Sequence, residues 1–212
     1  MYIALLKNDN PYRVHTYLID INLISDDIVN IKVVIIGDDS VGKKSVINRF
    51  VEKPIGQSSG QRNNLGMEFT VQETEMAGKI YKFHIFVTAG GESGSLLRRK
   101  HYGGANAYFI IYDVTNRKSF ENITYYLQEV IEGAGKGITA LLYVIANKID
   151  LRSSSQTSIS KEEAESIFGK LITENILDMT YIELSCITGE NYDKFISNFH
   201  KSIVFGRDLD FI

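Results

Sequence analysis

The sequence predicts an α/β fold: a mostly parallel, six-stranded sheet with one antiparallel strand and helices on both faces. Three observations predict it. From Ile31 onward, short apolar runs alternate with segments of helical periodicity, the pattern of a parallel sheet covered on both sides. Two strand-like runs are separated only by Ala77-Gly78-Lys79, a hairpin turn that makes one strand antiparallel. A glycine-rich loop directly follows the first core strand and opens a helix.

Each element has its own signal. Ile31 to Ile36 is rich in β-branched residues and reads as a buried strand, and Val46 to Val51 begins a helix. Glu68 to Met76 and Ile80 to Val87 alternate polar and apolar residues, as strands of a hairpin do. Ala107 to Tyr112, Ala140 to Ala146 and Tyr181 to Leu184 are further short apolar strands. Helical patterns fall near 93–101, 118–132, 161–170 and 192–204. Residues 1–30 lie outside this scheme and form either an extra hairpin, turning near Asn10-Pro11, or a flexible leader. The expected organisation is therefore an extension over 1–30, one domain over 31–206 and a tail over 207–212.

Composition narrows the partners. The chain has 212 residues, enough for one domain with a substantial core, and a formal charge of −3, which gives no bulk attraction to nucleic acid or an anionic membrane. Its single cysteine, Cys186, excludes an internal disulfide and suits a reducing compartment. No apolar run is long enough to span a bilayer. Met1 to Lys7 lacks the basic lead-in of a signal peptide, and Arg207 to Ile212 carries no cysteine for prenylation. The expectation is a cytoplasmic protein with no direct membrane anchor in this sequence, reaching endomembranes through partners or a further segment.

The glycine-rich loop is Gly37-Asp38-Asp39-Ser40-Val41-Gly42-Lys43, in strand–GxxxxGK–helix context. Its backbone N–H groups cradle phosphate oxygens, and Lys43 reaches the β- and γ-phosphates. The next position takes a Ser or Thr hydroxyl for Mg²⁺, but here it is Lys44, whose ammonium has no lone pair to offer a cation. Ser45 follows one place too late.

After the strand ending at Ala146 comes Asn147-Lys148-Ile149-Asp150, which resembles the NKxD motif of GTPases. Ser185-Cys186-Ile187 occupies the place of the SAK loop, followed by Thr188-Gly189-Glu190-Asn191. Leu65-Gly66-Met67-Glu68-Phe69 resembles IGxDF, Tyr102-Gly103-Gly104-Ala105 resembles YRGA, and Tyr112-Asp113-Val114-Thr115 with Ser119-Phe120 resembles YDVT…SF. From about Ile31 to Val204 the chain thus resembles a Ras-superfamily small GTPase of the Rab branch, a P-loop small G domain.

The resemblance implies GTP or GDP as ligand, with effector or regulator proteins at the switch surface and a role in membrane trafficking. It implies that Asp150 accepts hydrogen bonds from guanine N1 and N2, that the Lys148 stem packs on the base, and that Asn147 ties this loop to the phosphate loop. A backbone N–H of Ser185-Cys186-Ile187 would meet guanine O6. In the switches, Asn64 stands where the family has a metal-ligating Thr. Val87-Thr88-Ala89-Gly90-Gly91-Glu92 resembles DTAGQE. Gly90 keeps the backbone N–H that senses a γ-phosphate, Val87 replaces the metal-side Asp, and Gly91 replaces the Gln that orients water.

The metal positions Lys44, Asn64 and Val87 and the water position Gly91 are all altered, which counts against Mg²⁺ and leaves no intact catalytic group. Lys44 is expected to replace the ion in part. Asp39 is expected to disfavour a triphosphate, or else to face solvent or pair with Lys44. The leading expectation is a guanine-nucleotide-binding protein with very slow or absent hydrolysis. The alternatives are a nucleotide-insensitive pseudo-GTPase scaffold and a GTPase whose catalytic group comes from a partner. His84, His101 and His200 read as ordinary surface or edge residues, Tyr125-Tyr126 as packing, and Arg98-Arg99-Lys100 as a solvated helix face.

Overall fold

The computed structural model describes residues 2–10, 13–20, 28–52, 61–62, 67–91, 95–134, 140–155, 157–173 and 179–206. The strands are β1 (Tyr2–Asn10), β2 (Arg13–Asp20), β3 (Ile28–Ile36), β4 (Gln61–Arg62), β5 (Glu68–Met76), β6 (Lys79–Val87), β7 (Ala107–Asp113), β8 (Leu141–Asn147) and β9 (Thr180–Glu183). The α-helices are α1 (Lys43–Phe50), α2 (Ser95–Arg99), α3 (Arg117–Ala134), α4 (Lys161–Thr173) and α5 (Tyr192–Phe205), with a 3₁₀ turn over Ile149–Ser154.

The main sheet runs β4-β5-β6-β3-β7-β8-β9. β3 is parallel to both β6 and β7, and β7, β8 and β9 continue in parallel. β5 is antiparallel to β6 through the turn at Ala77-Gly78, whose positive φ values of 50° and 73° suit a tight hairpin. All six expected strands are present, and the two-residue β4 adds a seventh at the edge, too short to leave a periodic signal. β3 begins at Ile28, opposite Ile80 of β6. β1 and β2 pair antiparallel as a separate two-stranded sheet, Tyr2 opposite Asp20.

Alternation along β3 builds two cores. Ile31, Val33 and Ile35 join Val46 and Ile47 of α1 and Phe195 and Phe199 of α5 on one face. Val34 and Ile36 join Ile123, Leu127 and Val130 of α3 and Phe168 of α4 on the other. Burying both faces removes the second half of the strand, Val33–Ile36, from water, which is why that stretch is continuously apolar. Five parallel strands then deliver their following loops to one edge of the sheet, the usual location of a ligand site in such folds.

Helix α1 starts at Lys43 rather than Val46. Gly42 takes the N-cap with φ 101°, so the chain turns from loop to helix in one residue and the Gly42 carbonyl accepts from Val46 N–H at 3.0 Å. α3 and α4 run slightly longer than their periodic patterns suggest, while α2 is described only over Ser95–Arg99.

Candidate functional site

The loop after β3, the predicted phosphate loop, turns tightly into α1. Gly42 has no room for a side chain: a Cβ there would lie 2.2 Å from Asn147 Nδ2. Lys43 at the base of the loop is buried, and its ammonium donates to the Gly37 carbonyl at 2.7 Å and the Asp38 carbonyl at 2.5 Å. Two of its three protons are used, and the third is left for an anion. Burial pulls the Lys43 pKa down to about 8, with Asp39 and Asp38 opposing that fall. A cavity of about 460 Å³ opens here, lined by Asp39, Ser40, Gly42, Lys43, Lys44, Ser45, Glu68 and the start of the loop after β6.

The loop after β8 is stitched to this cradle by two side chains. Asn147 Nδ2 donates to the Val41 carbonyl at 2.9 Å, and its Oδ1 accepts from Cys186 N–H at 3.3 Å. Lys148 Nζ donates to the Ser40 carbonyl at 2.8 Å and pairs with Asp113 Oδ2 at 2.7 Å. Asp113 is itself fixed, its Oδ1 accepting from Thr115 N–H and Oγ1–H. Asp150 completes the loop, and its buried Oδ1 has no hydrogen-bond partner. A buried, unpaired carboxylate oxygen is costly unless a ligand supplies the donor.

Around the adjoining loop, Ser185 Oγ accepts from Ile187 N–H and Thr188 N–H, Cys186 is buried with burial pushing its thiol pKa up to about 12, and Ile187 is exposed. The Cys186 N–H, a candidate donor to guanine O6, already faces Asn147.

The metal side is arranged differently from expectation. Lys44 does not pair with Asp39; its Nζ sits 2.8 Å from Glu68 Oε2, and Glu68 is buried. In register, Glu68 stands directly opposite Val87, so a carboxylate lies on the neighbouring strand from the apolar position. Lys44 and Val87 offer no lone pair, and among the described residues no group of three or more His, Cys, Asp or Glu side chains is placed to hold a metal. Asn64 lies outside the described residues.

Nor does Asp39 face solvent without a partner: its Oδ1 accepts from Gly90 N–H at 3.2 Å. Gly90 therefore already spends its N–H on a side chain of the phosphate loop. Gly91 N–H donates to Tyr126 OH at 3.3 Å, and Tyr126 OH donates to Asp38 Oδ1 at 2.6 Å. Tyr126 thus does more than pack.

The largest correction concerns Arg98. It is buried, not solvated, and makes a two-pronged ion pair with Glu129 of α3: Nε to Oε1 at 3.1 Å and Nη2 to Oε2 at 2.8 Å. Its Nη1 donates to the Ala89 and Gly91 carbonyls, and Tyr102 OH donates to Glu129 Oε1. Only Arg99 and Lys100 of that charge run face outward, Arg99 pairing with Glu132. Glu129 was detectable as a charged residue on the apolar stripe of Ile123, Tyr126, Leu127 and Val130. His200 is half-buried and stacks on Phe83 with ring centroids 5.5 Å apart. A larger cleft of about 680 Å³ between the end of α1, the β5–β6 hairpin and α5 shares no residue with the phosphate cavity.

A mostly parallel sheet with a GxxxxGK loop between its first core strand and the following helix defines a P-loop α/β protein. A model of the Ras family matches residues 32–205. Similar proteins include the GTP-binding protein ypt1 of Schizosaccharomyces pombe, 32% identical over 74% of this chain and 76% of its own length. The Ras-related protein Rab-13 of Rattus norvegicus is 31% identical over 82% of this chain and 79% of its own. The Ras-related protein SEC4 of Candida albicans is 32% identical over 76% and 71%. The chain belongs to the Ras family, as a Rab-like small GTPase by descent. Among the described residues, no helix is long and apolar enough to cross a membrane.

Proposed function

We propose that this chain binds guanine nucleotide, GDP or GTP, without needing Mg²⁺, and hydrolyses GTP very slowly or not at all. The observation that carries the reading is the contrast between two halves of one site. The phosphate cradle and the Asp150 loop are tied together by Asn147 and Lys148, and Asp150 Oδ1 lacks a donor. On the other half, Lys44, which pairs with Glu68, and Val87 take the sequence positions of the family's metal-side residues, and Gly91 has no side chain to orient water. A cation with one charge that is already paired holds phosphates less strongly than Mg²⁺, so affinity is set mainly by the cradle and the base. The named relatives include a GTP-binding protein, in keeping with this ligand. The corresponding role is Rab-like: a cytoplasmic protein at the surface of endomembranes in membrane trafficking, presenting its switch surface to effectors or regulators.

The test is chemical analysis of the purified protein. About one guanine nucleotide per chain should remain bound after exhaustive chelation, and single-turnover hydrolysis of added GTP should be at or below the rate of the slowest unaided GTPases, roughly 10⁻⁴ per second. Protein that neither retains nor takes up guanine nucleotide overturns the reading in favour of a nucleotide-insensitive scaffold.

Lys43 gives the site a pH dependence. In the free protein its pKa lies near 8, below the ordinary 10.5, because burial disfavours the charge. Bound phosphate favours the charge, so the complex holds the proton to higher pH than the free protein. Affinity is then flat below about pH 7.5 and falls above about pH 8, by roughly threefold between pH 7.5 and 8.5. The same depressed pKa means the free fold gains stability as pH rises through 8 toward 10.5, since only the unfolded chain still holds that proton. Calorimetric titration with GDP at the two pH values measures the effect, and Lys43→Arg, charged throughout, should flatten it.

A further inference from the structure

Past Thr88, whose N–H donates to the Ile35 carbonyl, the described residues of the loop after β6 are held by side chains. Ala89 and Gly91 offer their carbonyls to Arg98, Gly91 offers its N–H to Tyr126, and Gly90 offers its N–H to Asp39. Arg98 is anchored by Glu129 and Tyr126 by Asp38, so the clamp reaches back into the phosphate loop and α3. The approach is tight. A Cβ on Gly90 would lie 2.5 Å from the Asp39 nitrogen and 2.6 Å from its Oδ1, contacts that only glycine avoids. Asp39 thus brings a carboxylate to the mouth of the phosphate cavity, which it also lines, above the buried Lys43. A nucleotide whose first two phosphates lie in the cradle would bring a third one toward this space. The third phosphate is an anion seeking N–H donors, and both the donor on Gly90 and the adjacent room are already taken by another anion.

We propose that Asp39 is an internal stand-in for a third phosphate: its carboxylate holds Gly90 and closes the loop whatever nucleotide is bound, and its charge makes the site selective for nucleoside diphosphate over triphosphate. The inference rests on the guanine-nucleotide reading above for its ligand, but its structural half does not. The surface built on the loop after β6 is then presented permanently, and a partner that docks there does not read the phosphate state.

Two variants separate charge from hydrogen bond. Affinities for GDP and for a non-hydrolysable GTP analogue are measured by calorimetry on the native chain, Asp39→Asn and Asp39→Ala, and Gly90 amide exchange is followed by NMR in the nucleotide-free proteins. The native chain should prefer GDP by roughly tenfold or more, as expected for one like charge at close range in a half-wet site. Asp39→Asn keeps an acceptor but no charge. It should bring the two affinities to within about threefold while leaving Gly90 exchange slow. Asp39→Ala should do the same to the affinities and speed Gly90 exchange by roughly tenfold or more. A preference unchanged by both variants, or Gly90 exchange unchanged in Asp39→Ala, overturns the proposal. If the native chain binds neither nucleotide, the ligand reading and the diphosphate selectivity fall together, while the exchange data still decide whether Asp39 holds the loop.

Discussion

Asp150→Ala should lower affinity for GDP by a hundredfold or more, by roughly 3 kcal/mol, and should leave the nucleotide-free fold no less stable than before. Both halves follow from one atom. Asp150 Oδ1 is buried and unpartnered. Under the ligand reading proposed above, a carboxylate there would accept from the N1–H and N2–H of guanine, and hydrogen bonds to a charged group contribute about 1.5–3 kcal/mol each. Removing the carboxylate also removes an orphaned acceptor from the free protein, so urea denaturation without ligand should show an unchanged or higher midpoint. Inosine diphosphate, which lacks the exocyclic amine, is the control. The native chain should bind it about tenfold more weakly than GDP, and Asp150→Ala should treat the two alike. Equal binding of the two by the native chain would show that Asp150 does not read the exocyclic amine.

What was legible in the sequence was local. The phosphate loop is seven consecutive residues with its strand before and its helix after, so backbone geometry and residue type coincide. The strand of alternating inward residues at Ile31–Ile36 and the two-residue turn at Ala77-Gly78 are likewise short-range signals. The contacts that define the altered half are not. Lys44 and Glu68 meet because α1 starts beneath the loop and β5 is registered against β6, which no spacing rule in the sequence reports. Asp39 and Gly90 meet across 51 residues through an approach that depends on a missing Cβ. Arg98 was hidden by its neighbours: Arg98, Arg99 and Lys100 read as one charged face, but successive helical residues point about 100° apart, and only the first turns inward.

That inward arginine sets the largest stability effect. Glu129→Leu should destabilise the fold by about 3–5 kcal/mol, because it leaves the Arg98 guanidinium buried without its carboxylate, facing only backbone carbonyls and the Tyr126 ring. Against a typical total of about 5–15 kcal/mol, such a loss is severe. The double variant Arg98→Met with Glu129→Leu should recover most of it, since the isolated charge is gone and the cavity is filled. The residual cost should be about 1–3 kcal/mol, from the Tyr102 hydroxyl that then lacks its acceptor. Urea denaturation of the native chain, both single variants and the double closes the cycle, and a coupling below about 1 kcal/mol would mean the pair is not the anchor its geometry indicates. Stability alone does not test the second role of Arg98. In the double variant the Ala89 and Gly91 carbonyls lose their donor, so amide exchange across Ala89 to Gly91 should quicken even though the fold is nearly restored. A restored fold with an unchanged exchange rate would leave Asp39 and Tyr126 as sufficient to hold the loop. A restored fold with fast exchange would make Glu129, through Arg98, the residue that sets how firmly the switch surface is held.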